Sequence, residues 1–120
     1  MNHKLAKSFT YAINGLRTCW NDEANFKIEV FLGLLSIITA FFLQIKTIEF
    51  AVVFITITIV LAVEILNTAF EELCDKLRPE NDPYVAKIKD LAAAAVLISS
   101  MGAVAIGIFI FGPYILGLNL

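Results

Sequence analysis

A chain of 120 residues with 59 % hydrophobic and 17 % charged residues is too greasy for a soluble domain, which has about 45–50 % apolar and about 25 % charged residues and, at this size, leaves much of its surface outside. The mean hydropathy of +0.82 excludes a disordered segment and argues against a soluble helical bundle. A net charge of −2 and only two cysteines, Cys19 and Cys74, give no support to nucleic-acid binding or to a disulfide framework.

In Leu5–Trp20, apolar Leu5, Phe9, Ala12, Ile13, Leu16, Cys19 and Trp20 recur at helical spacing, with Lys7, Asn14, Arg17 and Thr18 on other faces. The pattern predicts an amphipathic helix on the membrane surface over about 4–25. The chain stays polar to about Lys27, so no cleaved signal peptide is expected. Three long apolar runs follow. A spanning helix needs about 20 such residues. Val30–Ile45 is uncharged and predicts a first span over about 28–46, extended by Ile28, the Lys27 stem and a snorkelling Lys46. Phe50–Val63 is uncharged and resumes after Glu64, giving a second span over about 49–70. Leu91–Leu120 carries no charge and gives a third over about 86–112. The Lys46–Glu49 stretch reads as a turn, and so does Arg78-Pro79-Glu80-Asn81-Asp82-Pro83, whose prolines stop one helix and restart another. The reading is one all-α membrane domain over 1–120.

Basic residues favour the cytoplasmic side. Lys4, Lys7, Arg17 and Lys27 precede the first span, and Lys76, Arg78, Lys87 and Lys89 fall between the second and third. These two regions are expected inside, and the C-terminus outside. Both cysteines then sit near the cytoplasm, where thiols stay reduced.

In the second span, Glu64, Asn67, Glu71 and Asp75 are spaced 3, 4 and 4 apart, one stripe on a helix. Asp75 and Glu72 are accounted for by a solvated helix end. Glu64, Asn67 and Glu71 are not, because acids within a span are costly and mark function. Carboxylates with open positions suit magnesium, which shares its shell with phosphates. Asn21-Asp22-Glu23 and Glu29 bring more acid to the same surface, and Lys87-Ile88-Lys89-Asp90 brings lysines. There is no G-x-x-x-x-G-K-[ST] loop, no G-x-G-x-x-G and no Ser-His-Asp arrangement. His3 reads as a solvent-facing terminal residue. The residues alone lead to a membrane-embedded, metal-dependent enzyme or an ion pathway at the cytoplasmic face.

Glu64-Ile-Leu-Asn67-Thr-Ala-Phe-Glu71, followed by Lys89-Asp90-Leu-Ala-Ala-Ala-Ala-Val, resembles the prokaryotic diacylglycerol kinase family of small integral-membrane lipid kinases, which includes undecaprenol kinases. Gly15-Leu16-Arg17-Thr-Cys-Trp20-Asn-Asp-Glu23-Ala-Asn-Phe26 is similar to the family's surface-helix segment, and the likeness runs from about Lys4 to Phe111. The resemblance implies a surface helix plus three transmembrane helices, a homotrimer with sites between subunits, and residence in the bacterial cytoplasmic membrane. It implies transfer of the ATP γ-phosphoryl group to diacylglycerol, giving phosphatidic acid, or alternatively to undecaprenol. A non-catalytic membrane oligomer or cation pathway is the competing class. Carried over residue by residue, Glu64 matches the general base and Asn67 an orienting amide. Glu23 and Glu71 match the Mg2+ ligands that bridge to ATP. Lys89, Asp90 and Tyr11 match nucleotide contacts. So does Lys4, where arginine is more usual, and so does the loop at Glu80. Arg17, Trp20 and Glu29 match the lipid side, and Glu29 favours the diacylglycerol branch. Members often have His-Pro where Asp82-Pro83 stands.

Overall fold

The computed structural model describes residues 2–77 and 82–118. They form four helices and no strand: α1 (Asn2–Asp22), α2 (Ala24–Leu43), α3 (Thr47–Leu77) and α4 (Pro83–Leu116). Helices α2, α3 and α4 are long and apolar enough to cross a bilayer. A single extended residue, Glu23, separates α1 from α2. Its N–H still donates to the Cys19 carbonyl and its carbonyl accepts from Lys27 N–H, so two helical backbone bonds meet at the break.

Helix α3 contains Ile55-Thr-Ile-Thr-Ile-Val60, an alternating β-branched run that reads as a strand in water. In hydrocarbon every backbone polar group must be satisfied within the segment, and that requirement outweighs propensity. The hydroxyls comply too: Thr56 donates to the Val52 carbonyl and Thr58 to the Phe54 carbonyl, as Ser36 and Thr39 do on α2.

The first turn falls slightly earlier than the expected Lys46–Glu49, and residues 78–81 of the second expected turn lie outside the described residues. The first lies at Gln44–Lys46, and α3 starts at Thr47 rather than near Glu49. The Glu49 carboxylate reaches back to accept the Lys46 N–H at 3.0 Å, which closes the helix start early. Gln44 ends α2 in the left-handed region (φ 52°), with Ile45 N–H donating to the Ala40 carbonyl. At the second turn, Asp82 caps α4 by accepting Tyr84 N–H at 2.9 Å, with Pro83 in the first turn. Helix α4 continues through Pro113 to Leu116.

Helix α3 is the centre of the molecule, packed on α2 and most extensively on α4. Gly33 lets α2 approach closely: a Cβ there would meet Ile57 Cγ2 at 2.9 Å. The α3–α4 pair is tied at both ends. Tyr114 O–H donates to Glu49 at one end, and Lys89 pairs with Asp75 at the other. Among the described residues only Ile110 of α4 is buried, so most of the apolar surface faces outward.

Candidate active site

Among the described residues the largest wholly buried side chain is not a leucine or a phenylalanine but Glu64, 1 % exposed in the middle of α3. Surface helix α1 packs against α2 and α3. Buried Cys19 of α1 lies beside Thr68 of α3 and within electrostatic range of Glu64 and Glu23. Burial first, then these carboxylates, push the Cys19 thiol above its ordinary value. Thr68 is itself buried and donates to the Glu64 backbone carbonyl at 3.1 Å.

Four carboxyl groups from two helices and the α1–α2 junction converge here. Glu64 lies beside Glu29 of α2 and within range of the charges on Glu23 and Glu71. Glu23 flanks α2, yet its side chain makes no capping hydrogen bond. It is held above the usual carboxylate range by partial burial, then by Glu71, Asp22 and Glu72. Asn67 Nδ2 donates to Glu71 Oε1 at 3.2 Å, fixing that carboxylate one turn away. Three buried oxygens here receive no hydrogen bond: Glu29 Oε2, Glu64 Oε2 and Asn67 Oδ1. An apolar cavity of about 200 Å³ between α2, α3 and α4 has Glu29 as its one charged lining residue, with Gly33, Ser36, Ile57 and Ser100 among the others.

The other sequence-predicted residues lie around this cluster. Lys89 is within range of Glu71 but gives its hydrogen bond to Asp75, an acid whose sequence position fits a solvated helix end. The i, i+4 stripe that reaches Asp75 was the available signal. Asp90 is exposed on α4, and Lys4, Tyr11 and Arg17 are exposed on α1. Trp20, half exposed, stacks beneath Lys27 with the ammonium 5.8 Å from the ring centroid. Glu80 lies outside the described residues. No group of three or more acidic, His or Cys side chains positioned to hold a metal occurs among the described residues. The Cys19–Thr68 contact was not legible in sequence, because nothing in either helix alone names its partner.

An all-helical membrane protein with an acidic cluster buried where a surface helix meets two spans belongs to the class of membrane proteins that do polar chemistry at the lipid–water boundary. The sequence pattern described as prokaryotic diacylglycerol kinase matches residues 10–111, and the chain belongs to that family. It is 36 % identical over 115 residues to a diacylglycerol kinase of Synechocystis, covering 95 % of this chain and 66 % of that protein. It is 34 % identical over 101 residues to the diacylglycerol kinase of Escherichia coli, 84 % and 83 % of the two chains. It is also 30 % identical over 111 residues to an undecaprenol kinase of Bacillus subtilis, 92 % and 90 %.

Proposed function

We propose that the protein is a lipid kinase that uses ATP and magnesium to phosphorylate the primary hydroxyl of diacylglycerol, giving phosphatidic acid. The observation that carries the reading is Glu64, a carboxyl 1 % exposed inside an apolar helix, with Asn67 and Glu71 along the same stripe toward the polar end. Such a group can meet a fatty alcohol on one side and a nucleotide phosphate on the other. Glu64 takes the proton of the lipid hydroxyl as its oxygen attacks the γ-phosphorus; the bond to the bridging oxygen breaks and ADP leaves. Asn67 orients Glu71. The work is otherwise positioning and charge neutralisation in a site that partly excludes water.

Glu23 and Glu71 would hold the magnesium ion. The fit is supported by a Glu23 carboxyl not spent on capping and uncompensated beside Glu71. Magnesium commonly takes only one or two protein carboxylates, with water and phosphate completing its shell. When bound, the ion neutralises charge on the phosphates. Lys89 would act on the phosphates as a point cation, with Lys4, Tyr11, Glu80 and Asp90 around the nucleotide and Arg17 and Trp20 toward the lipid. A homotrimer with sites shared between subunits is part of the same proposal. It is supported by exposed small residues on α4, Ala93, Ala94, Ala95 and Gly102, which permit close helix approach. The reading puts the N-terminus and the start of α4 at the cytoplasmic face of the inner membrane, supported by the basic residues clustered there.

The test is incubation of purified protein in detergent micelles with γ-labelled ATP, magnesium and either diacylglycerol or undecaprenol. Labelled phosphatidic acid is the expected product. Faster labelling of undecaprenol would move the assignment to that acceptor, which the Bacillus subtilis relative makes a specific alternative. No labelled lipid with either acceptor would refute the kinase reading in favour of a non-catalytic oligomer or cation pathway.

A further inference from the structure

The cavity between α2, α3 and α4 brings Glu29, the acid that the resemblance puts on the lipid side, together with Ser100 of α4. Its volume is about 200 Å³, and Leu32, Val53, Ile57 and Phe111 are among its other walls. An apolar space of about 150 Å³ already holds a molecule the size of benzene, so this one accommodates the first carbons of a lipid chain.

The two ties between α3 and α4 fix the depth of Ser100. Lys89 pairs with Asp75 at one end, and Tyr114 donates to Glu49 at the other. Glu64 lies eleven residues inward from Asp75, and Ser100 lies eleven residues inward from Lys89. At about 1.5 Å per residue both are about 16 Å from that pair, so Ser100 stands on α4 at the depth of Glu64. A lipid that presents its hydroxyl to Glu64 has the neighbouring atoms at the level of Ser100.

The Ser100 hydroxyl is also uncommitted. Ser36, Thr39, Thr56 and Thr58 each donate to the carbonyl four residues back, the usual way to satisfy a hydroxyl in a span. For Ser100 that acceptor is the Val96 carbonyl, which already accepts from Ser99 at 3.0 Å, and Ser100 has no partner among the described residues. A donor in apolar surroundings gains from an acceptor that a ligand brings. The two candidate lipids differ here: diacylglycerol carries an ester on the carbon adjacent to its free hydroxymethyl group, whereas undecaprenol continues as hydrocarbon.

We infer that Ser100 is a specificity-determining residue: its hydroxyl donates to the ester carbonyl next to the free hydroxymethyl group of diacylglycerol, with the start of that acyl chain in the cavity, and so favours a diacylglycerol over a polyprenol acceptor. This rests on the kinase reading with Glu64 as base and deepens it by naming what selects the acceptor. The other use of such a hydroxyl is a contact with a second copy of the chain; the place of Ser100 on the same cavity wall as Glu29 favours the ligand.

The test is steady-state kinetics in detergent micelles at saturating ATP and magnesium, with dioctanoylglycerol, its dioctyl diether analogue and undecaprenol as acceptors. The diether keeps the hydroxyl and both chains but has no carbonyl. Wild type is expected to show a kcat/KM about tenfold higher on the diester than on the diether, the effect of one neutral hydrogen bond. Ser100→Ala is expected to lower the diester value about tenfold and to leave the diether and undecaprenol values within about twofold of wild type. The wild-type comparison needs no variant and stands if Ser100→Ala does not fold. Wild-type diester and diether values within about twofold of each other would overturn the inference. So would a diester value unchanged by Ser100→Ala, or an equal fall on every acceptor, which is the mark of a structural contact. Each of these leaves the kinase reading intact, as does a wild type that phosphorylates undecaprenol alone, which also overturns the inference. A wild type that phosphorylates no acceptor overturns both.

Discussion

Replacing Glu64 with glutamine tests the chemistry with the least structural disturbance. The side chain is 1 % exposed, and glutamine matches its shape, so no cavity opens. The substitution removes one member of a group of four carboxyls, since Glu64 lies against Glu29 and within range of Glu23 and Glu71. Losing a like charge in a low-dielectric setting does not destabilise the fold, and the thermal midpoint is expected to stay level or rise. Turnover behaves differently, because an amide cannot accept the hydroxyl proton. General-base catalysis contributes about 10²–10⁴-fold, which at about 1.36 kcal/mol per decade is about 3–5 kcal/mol of barrier. The assay pairs single-turnover transfer of label from ATP to lipid with calorimetric binding of magnesium and a non-hydrolysable ATP analogue. Glu64→Gln is expected to lose turnover and keep binding. Glu71→Gln, which takes a charged acceptor away from the Asn67 hydrogen bond, is expected to weaken metal-dependent binding itself. Glu64→Gln turning over within about threefold of wild type would refute the assignment of the base.

Four further outcomes can be measured. Gly33→Val drives a side chain into Ile57, already 2.9 Å from an added Cβ, and is expected to cost about 1–3 kcal/mol by thermal unfolding in micelles; Ile57→Ala in the same chain recovers part of it, and no loss at all would contradict the close α2–α3 approach. Lys89→Gln is expected to raise the KM for ATP about tenfold, through loss of one charge-assisted contact to phosphate. Asp75→Asn breaks only a partly exposed pair worth about 0–1 kcal/mol, so its thermal midpoint stays within a few degrees of wild type; a larger drop would show that the pair contributes more than an exposed ion pair does. Cys19 and Cys74 are free and buried, and the Cys19 thiol is raised further by burial, Glu23 and Glu64. Maleimide labelling of the folded protein in micelles is expected to be at least about tenfold slower than in denaturant; equal rates would show that α1 does not stay docked.

The three spans, the surface helix and the acidic stripe were determined by the sequence alone, because each depends on the helical period and on the high cost of charge in hydrocarbon, both local properties of a segment. The same locality explains the family resemblance, carried by residues one and two turns apart on α3. Helix ends were less legible: Glu49 reads as a turn residue until its carboxylate is seen accepting Lys46 N–H. The tertiary structure alone decided which residues meet. Glu29 of α2 lies beside Glu64 of α3, Lys89 pairs with Asp75, and Cys19 lies beside Thr68. These contacts join residues on different helices, and their identity follows from how the helices rotate and approach, which Gly33 and the break at Glu23 control. An all-round apolar helix carries no pattern that fixes its rotation about its axis, so its sequence shows that it crosses the membrane but not which neighbour each side chain will touch.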